Sequence, residues 1–462
     1  ALYRAARDPG AWRAMSHASN ELLLSYYGDD LTGSTDVMEA MASNGVDTVL
    51  FMNVPDEALL SRFSHCKAIG LAGTSRSETP EWMQEHLTPA FNWLKSLNAA
   101  IAHYKVCSTF DSAPHVGNIG KAVEIGKAIF DQAYVPLIVG APQLKRYTSF
   151  GNLFAAYQGE TYRIDRHPVM SRHPVTPMHE ADLRVHLAQQ TALKTVLADL
   201  VALSAADADD RVDAIVKDAD GMLLLDVDSR ESQVQAGEQL WRLRPDAGWF
   251  VAGSSGIEYA LLAAWAKARL IGAKKEFPLP GKADRIAVVS GSVSPTTERQ
   301  IRQATASGFT GIDLNPLDLL GENSNQAIEA AIADGQKALK QGNSVILNTA
   351  LGPSADRGTE IDKIAGSRHK LARSLGFILR SLVERERLNR AVIAGGDTSS
   401  HALRELHVDA LTTLLPLPQT PGSPLCTAHG AHAATNGLQI ALKGGQVGSD
   451  GYFSQIRDGL TA

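Results

Sequence analysis

Short apolar runs closed by turn-forming residues recur along the first half of the chain: ELLLSYY at 21–27, VDTVLFM at 46–52, CKAIGLAG at 66–73, AHYKVCST at 102–109 and AYVPLIVGAP at 133–142. Stretches with helical spacing separate them, such as 34–44 and 80–98. This alternation predicts βαβ units and a mostly parallel sheet. The rhythm breaks over 157–191, where prolines and basic residues intervene before a helix begins near Glu180. A compact domain rarely keeps so long an irregular segment without use, so it reads as a functional loop. Alternation resumes with DAIVKDA (213–219), MLLLDV (222–227) and GWFVAGSSGIEYALLAAWAKARL (248–270). The polar, Pro- and Gly-bearing stretch 272–284 then reads as a domain boundary. A second series follows in RIAVVSGSVSPTTERQI, GNSVILNTALGP, NRAVIAGGDTSSHALREL and GLQIALKGGQVG. The expected organisation is an extension over 1–20 and two α/β domains, 21–272 and 284–462, each a mostly parallel sheet flanked by helices.

Length supports this division, since 462 residues exceed what one core serves. The net charge of −6 comes from 44 basic and 50 acidic residues with no long block of either sign. That leaves no electrostatic footprint for nucleic acid or an anionic membrane, and small molecules are the expected partners. Cys66, Cys107 and Cys426 lie far apart without CxxC spacing, which indicates neither a disulfide framework nor a zinc site. The first twenty-one residues carry Arg4, Arg7 and Arg13 and lack an apolar core, so they read as an extension and the protein as cytoplasmic.

Chemistry concentrates where strands end, the place at which parallel α/β sheets bind ligands. Asp29 and Asp30 close the first strand ahead of LTGSTDVMEAM, with Ser34 or Thr35 available as a helix cap. Adjacent carboxylates repel unless a cation or hydroxyl donor offsets them. The pair reads as an N-cap with a solvated neighbour, a general base for a substrate hydroxyl, or a ligand for Mg²⁺. Arg76, in GLAGTSRSETP, is a surface arginine or a fork for a carboxylate. Lys105, Ser108, Thr109, Asp111 and Ser112 follow one another on a strand-to-loop segment suited to a polyhydroxy acid. Cys107 within it reads as a small buried residue rather than a nucleophile. GNIGKA fails the P-loop spacing. In the second half, VVSGSVSP, VIAGGDTSS and IALKGGQVG each run from a strand into small residues, turns whose N–H groups cradle phosphates. Asp397 there caps its helix or assists Mg²⁺. His115, His167 and His173 lack the paired spacing of a metal site.

Taken in order, GDDLTGSTD, SRS, KVCSTFDS, HPVTPM, AGSSG, SGSVSP, GGDTSS and LKGGQVG resemble the four-carbon acid sugar kinase family, in particular its 3-oxo-tetronate kinase branch. The resemblance runs from about residue 21 to 455. It implies an amino-terminal domain for the sugar acid, a carboxy-terminal domain for ATP, and an active-site cleft between them. It assigns Asp29 and Asp30 to the substrate, one of them as base, Arg76 to the substrate carboxylate, and Lys105, Val106, Cys107 and Ser108 to the pocket wall. For ATP it points to Ser292, Gly395, Gly396, Asp397, Thr398, Gly444 and Gly445. The implied reaction is ATP- and Mg²⁺-dependent phosphorylation of the 4-hydroxyl of a tetronate or 3-oxo-tetronate, by a dimer. Gly28 stands where the family commonly has Ala, and KGGQVG lacks an aromatic near its last glycine. The alternatives are a non-catalytic sugar-acid sensor and a Mg²⁺-dependent phosphohydrolase, whose usual carboxylate spacing DDLTG lacks.

Overall fold

Each early apolar run becomes a buried strand: β1 (Leu24–Gly28), β2 (Thr48–Phe51), β3 (Ala68–Ala72), β4 (Ile101–Lys105) and β5 (Tyr134–Ile138). Strands covered on both faces carry unbroken apolar runs rather than alternating ones. In this computed structural model, residues 22–246 and 248–459 are described, and the extension expected over 1–20 lies outside them. Two compact units divide the chain, one of residues up to Thr48 with 56–275, the other of 49–55 with 276–462.

In the first unit, β9 (Lys194–Ala198), β10 (Gly221–Leu225) and β11 (Trp249–Gly253) complete a wholly parallel sheet of order β3-β1-β4-β11-β5-β10-β9. Helix α1 (Leu31–Ser43) follows β1. Two expectations need correction. DAIVKDA is not a strand but lies at the end of a helix, Ala208–Val216, because Val212, Ile215 and Val216 share one helical face. The segment after Tyr157 is only partly irregular: β6 (Arg146–Ser149), β7 (Asn152–Tyr157) and β8 (Glu160–Arg163) form a separate antiparallel sheet. The helix beyond it starts at Leu183, where Asp182 accepts the Arg184 N–H.

The second unit holds β12 (Ala287–Ser290), β13 (Phe309–Asp313), β14 (Ser344–Asn348), β15 (Arg390–Ala394), β16 (Ala410–Leu415), β17 (Leu425–His429) and β18 (Gln439–Lys443). The run β13-β14-β12-β15-β18 is parallel; β17 and β16 continue it antiparallel, and Leu50 and Phe51 of β2 pair with β16. Helices α2 (Pro295–Ala306), α3 (Ser367–Glu386) and α4 (Gly396–Glu405) cover it. Its core gathers Phe309, Ile346, Val392, Phe453 and Ile456. The protein is therefore α/β, with two mostly parallel sheets flanked by helices. Among the described residues no helix is long and apolar enough to cross a membrane.

Candidate functional site

The acidic doublet sits at a tight turn. A Cβ at Gly28 would lie 2.0 Å from Ser34 Oγ, so glycine lets the end of β1 pass against α1. Asp30 itself caps α1, its Oδ1 accepting the Gly33 N–H at 2.5 Å. Ser34 and Thr35, the expected caps, lie inside the helix and donate backwards, Ser34 to Asp30 O at 2.6 Å and Thr35 to Leu31 O at 3.2 Å. Asp29 is tied through its backbone, its N–H donating to Lys105 O at 2.9 Å and its carbonyl accepting the Arg76 N–H at 3.1 Å. Its buried Oδ1 has no hydrogen-bond partner. Burial, reinforced by Asp30, pushes the Asp29 carboxyl up to about 8 against the pull of Arg76 and Lys105.

Two cations offset this acidity. Arg76 Nη1 donates to Asp30 Oδ2 at 3.0 Å, and Nη2 reaches both oxygens of Asp111 at 3.1 Å. Asp111 also accepts from Thr109 Oγ1 at 2.5 Å and Thr176 Oγ1 at 2.7 Å. Burial works against its charge, yet Arg76 and the two hydroxyls hold it below the usual carboxylate range. Lys105, only 3% exposed at the end of β4, donates to Val106 O at 3.0 Å and stands 3.8 Å from Asp36 Oδ2. Burial alone would lower its pKa; Asp36 and then Asp29 raise it above the ordinary value.

Asp29, Asp30, Arg76 and Lys105 thus form one polar cluster at the carboxyl ends of β1, β3 and β4. Val106 continues β4 by donating to Gly253 O at 2.8 Å, and Cys107 Sγ lies 3.0 Å from the Thr109 hydroxyl. Cys107 and Ser108 are half-buried. Asp111, expected on the Lys105 segment, joins the cluster, and so do Asp36 and Thr176, which were not singled out for it. Asp111 was legible as a neighbour of Lys105; Thr176 arrives from HPVTPM, 65 residues further on, and no local pattern announces that contact. Among the described residues no group of three His, Cys, Asp or Glu side chains is arranged to hold a metal. His167 Nδ1 instead accepts the N–H groups of Val169 and Met170.

The second cluster lies within the other unit. Because β12, β15 and β18 are neighbours in the sheet, the glycine-bearing turns after them line one cleft of about 300 Å³. Gly291, Ser292, Gly395, Gly396, Thr398 and Gly445 face it. Gly395 has φ +120°, a conformation that favours glycine, and its N–H donates to Lys443 O at 2.8 Å. Ser292 Oγ accepts the Ser294 N–H at 3.2 Å and the Thr297 hydroxyl at 3.1 Å. Lys443, buried and pushed down to about 8 by that burial, donates to Thr297 Oγ1 at 3.1 Å and Gly444 O at 2.8 Å, fixing the last turn. The side chain of Asp397 lies outside what is described. Leu371, Ala372 and Leu375 of α3 form an apolar wall, and Arg357 and Arg368 border the cleft, all five in segments no glycine motif marks. Such a cleft can hold an anionic chain against backbone N–H groups and a flat ring against the apolar wall.

Comparison with known proteins follows the same division. The model of a sugar-binding N-terminal domain matches residues 24–261, and that of a nucleotide-binding C-terminal domain matches 287–453. A 3-oxo-isoapionate kinase from Paraburkholderia graminis is 45% identical over 451 residues, covering 96% of this chain and 95% of that protein. A 3-oxo-tetronate kinase from Cupriavidus necator is 27% identical over 439 residues, covering 94% and 96%. The crystal structure of a Haemophilus influenzae protein, 22% identical, shares the fold with a TM-score of 0.73, covering 95% of this chain and all of that one. The chain belongs to the four-carbon acid sugar kinase family and is a phosphotransferase acting on a sugar-acid hydroxyl.

Proposed function

We propose that the protein transfers the γ-phosphoryl group of ATP to the terminal hydroxyl of a 3-oxo sugar acid, 3-oxo-isoapionate ahead of 3-oxo-tetronate. The order follows the relatives, 45% identity to a kinase named for the first acid and 27% to one named for the second. The observation that carries the reading is Asp29. Both oxygens of Asp30 are engaged, one by the Gly33 N–H and one by Arg76, whereas Asp29 Oδ1 is buried and unpartnered. An incoming hydroxyl would satisfy that oxygen, and a carboxylate with its pKa near the working pH takes up a proton efficiently. Asp29 is thus the base, and Asp30 holds α1 and Arg76 in place.

Arg76 has more N–H donors than its contacts to Asp30 and Asp111 use, which suits it to the substrate carboxylate. Lys105 neutralises charge beside Asp29, and Val106, Cys107 and Ser108 line the same wall. Ser292, Gly395, Gly396, Thr398, Gly444 and Gly445 would receive the triphosphate, with the apolar wall of α3 taking the base. Phosphoryl transfer asks of the protein mainly alignment and charge neutralisation, which these groups supply. Mg²⁺ bound largely by phosphate oxygens requires few protein carboxylates, and Asp356 lines the cleft as one. When present, the ion neutralises charge on the triphosphate. We also take the protein to be a homodimer, on the family resemblance, for sedimentation to check.

A coupled assay for ADP across a panel of sugar acids tests the proposal. ADP formation that depends on 3-oxo-isoapionate is the expected outcome. An acid that binds without ADP release would make the protein a sensor, and consumption of phosphorylated acids would make it a hydrolase.

A further inference from the structure

The segment between β8 and the helix at Leu183 is anchored at both ends. Met170 and Met178 are buried, and the Met178 N–H donates to Met170 O at 2.9 Å, closing the loop. His167 accepts the N–H groups of Val169 and Met170, which fixes the loop's entry. The turn at its tip, His173–Thr176, is therefore held rather than free, and it meets the acid cluster.

Thr176, 4% exposed, donates its hydroxyl to Asp111 Oδ2 at 2.7 Å. Its N–H donates to His173 Nδ1 at 3.1 Å, and its Oγ1 stands 3.0 Å from the same nitrogen. A nitrogen that accepts carries no proton, so the imidazole N–H is at Nε2. Through Thr176, its hydroxyl on Asp111 and its N–H on His173, the Arg76 guanidinium is thus connected to a half-buried imidazole whose Nε2–H can only donate. A ketone oxygen can only accept.

We propose that the His173–Thr176 turn determines substrate choice in the sugar-acid site. His173 Nε2–H donates to the 3-oxo oxygen, and Thr176 positions both His173 and the Asp111 carboxylate behind Arg76. The inference rests on the sugar-acid kinase reading above and adds the group that tells a 3-oxo acid from its 3-hydroxy counterpart. A hydroxyl placed there accepts the same bond but leaves its own proton without a partner, and a site matched to one polar pattern disfavours the other.

The test compares wild type, His173→Ala, His173→Gln and Thr176→Val in the full chain. The 3-oxo acid is measured as substrate with ATP, and the 3-hydroxy acid as substrate or competitive inhibitor, with melting temperature as a folding control. His173→Ala should lose roughly ten-fold in kcat/KM on the 3-oxo acid, mostly through KM, as for a lost hydrogen bond. The 3-hydroxy acid should change little, so the preference between the acids collapses. His173→Gln, which offers an N–H near the Nε2 position, should recover part of it, and Thr176→Val, which keeps the N–H to His173 but releases the turn from Asp111, should shift the preference in the same direction as His173→Ala by a smaller factor. If His173→Ala misfolds, His173→Gln and Thr176→Val carry the comparison. An active wild type whose variants keep its preference overturns the inference alone. A wild type that forms no ADP with any acid overturns the proposed function and this inference together.

Discussion

Burial sets how Asp29 behaves with pH. Its carboxyl is pushed from an ordinary 3.8 to about 8, so the folded chain prefers it protonated. The associated stability is present at acid pH and is lost as pH climbs through 8. Asp29→Asn should therefore melt higher than wild type at pH 9 and differ little near pH 4. The same substitution should lower kcat by roughly 10²-fold or more while leaving the affinity for ATP unchanged, as expected on removing a general base. In wild type, kcat/KM should rise with pH as Asp29 ionises around 8. Arg76→Met leaves Asp30 and Asp111 without their shared cation; it should lower the melting temperature and raise KM for the acid by roughly ten-fold, the scale of a charge-assisted hydrogen bond. The doublet, Arg76 and Lys105 were legible because each closes an apolar run, and strand ends are where such sheets bind ligands. Which aspartate caps the helix was not, since that depends on the single backbone turn between Gly28 and Leu31.

At the scale of elements, the three glycine-bearing turns stand together because their strands are adjacent. Sequence shows each turn but not the strand order; the order β12-β15-β18 is set by how the crossovers pack. Gly396, the first residue of α4, separates ligand effects from folding effects. A Cβ there meets nothing within 4 Å, and alanine suits a helix better than glycine. Gly396→Ala should keep or raise the melting temperature yet raise KM for ATP several-fold, because a triphosphate would occupy the space the methyl takes. Gly395→Ala, at φ +120°, should harm both. The antiparallel sheet β6-β7-β8 escaped the sequence for a physical reason: β6 (RYTS) and β8 (ETYR) are short and polar, so the one apolar run, at 153–157 in β7, has no apolar neighbours to mark a sheet.

For the whole molecule, the alternation of strand and helix announced α/β architecture, and the polar stretch near 272–284 contains the chain's passage into its second unit at Glu276. The assignment of 49–55 to that unit was not legible, because an apolar strand carries no mark of the sheet it will join. Each unit contains one complete cluster, the carboxylates and cations in the first and the glycine cleft in the second. Titration of the full chain with ATP in the absence of any acid should accordingly show saturable binding, and Asp29→Asn should leave it intact. The most direct measurement is phosphorus NMR of the wild-type protein with Mg²⁺, ATP and 3-oxo-isoapionate. The account predicts a new phosphomonoester resonance growing in step with ADP, absent without the acid and nearly absent with Asp29→Asn. ADP accompanied only by inorganic phosphate, or an undiminished phosphomonoester with Asp29→Asn, would contradict it.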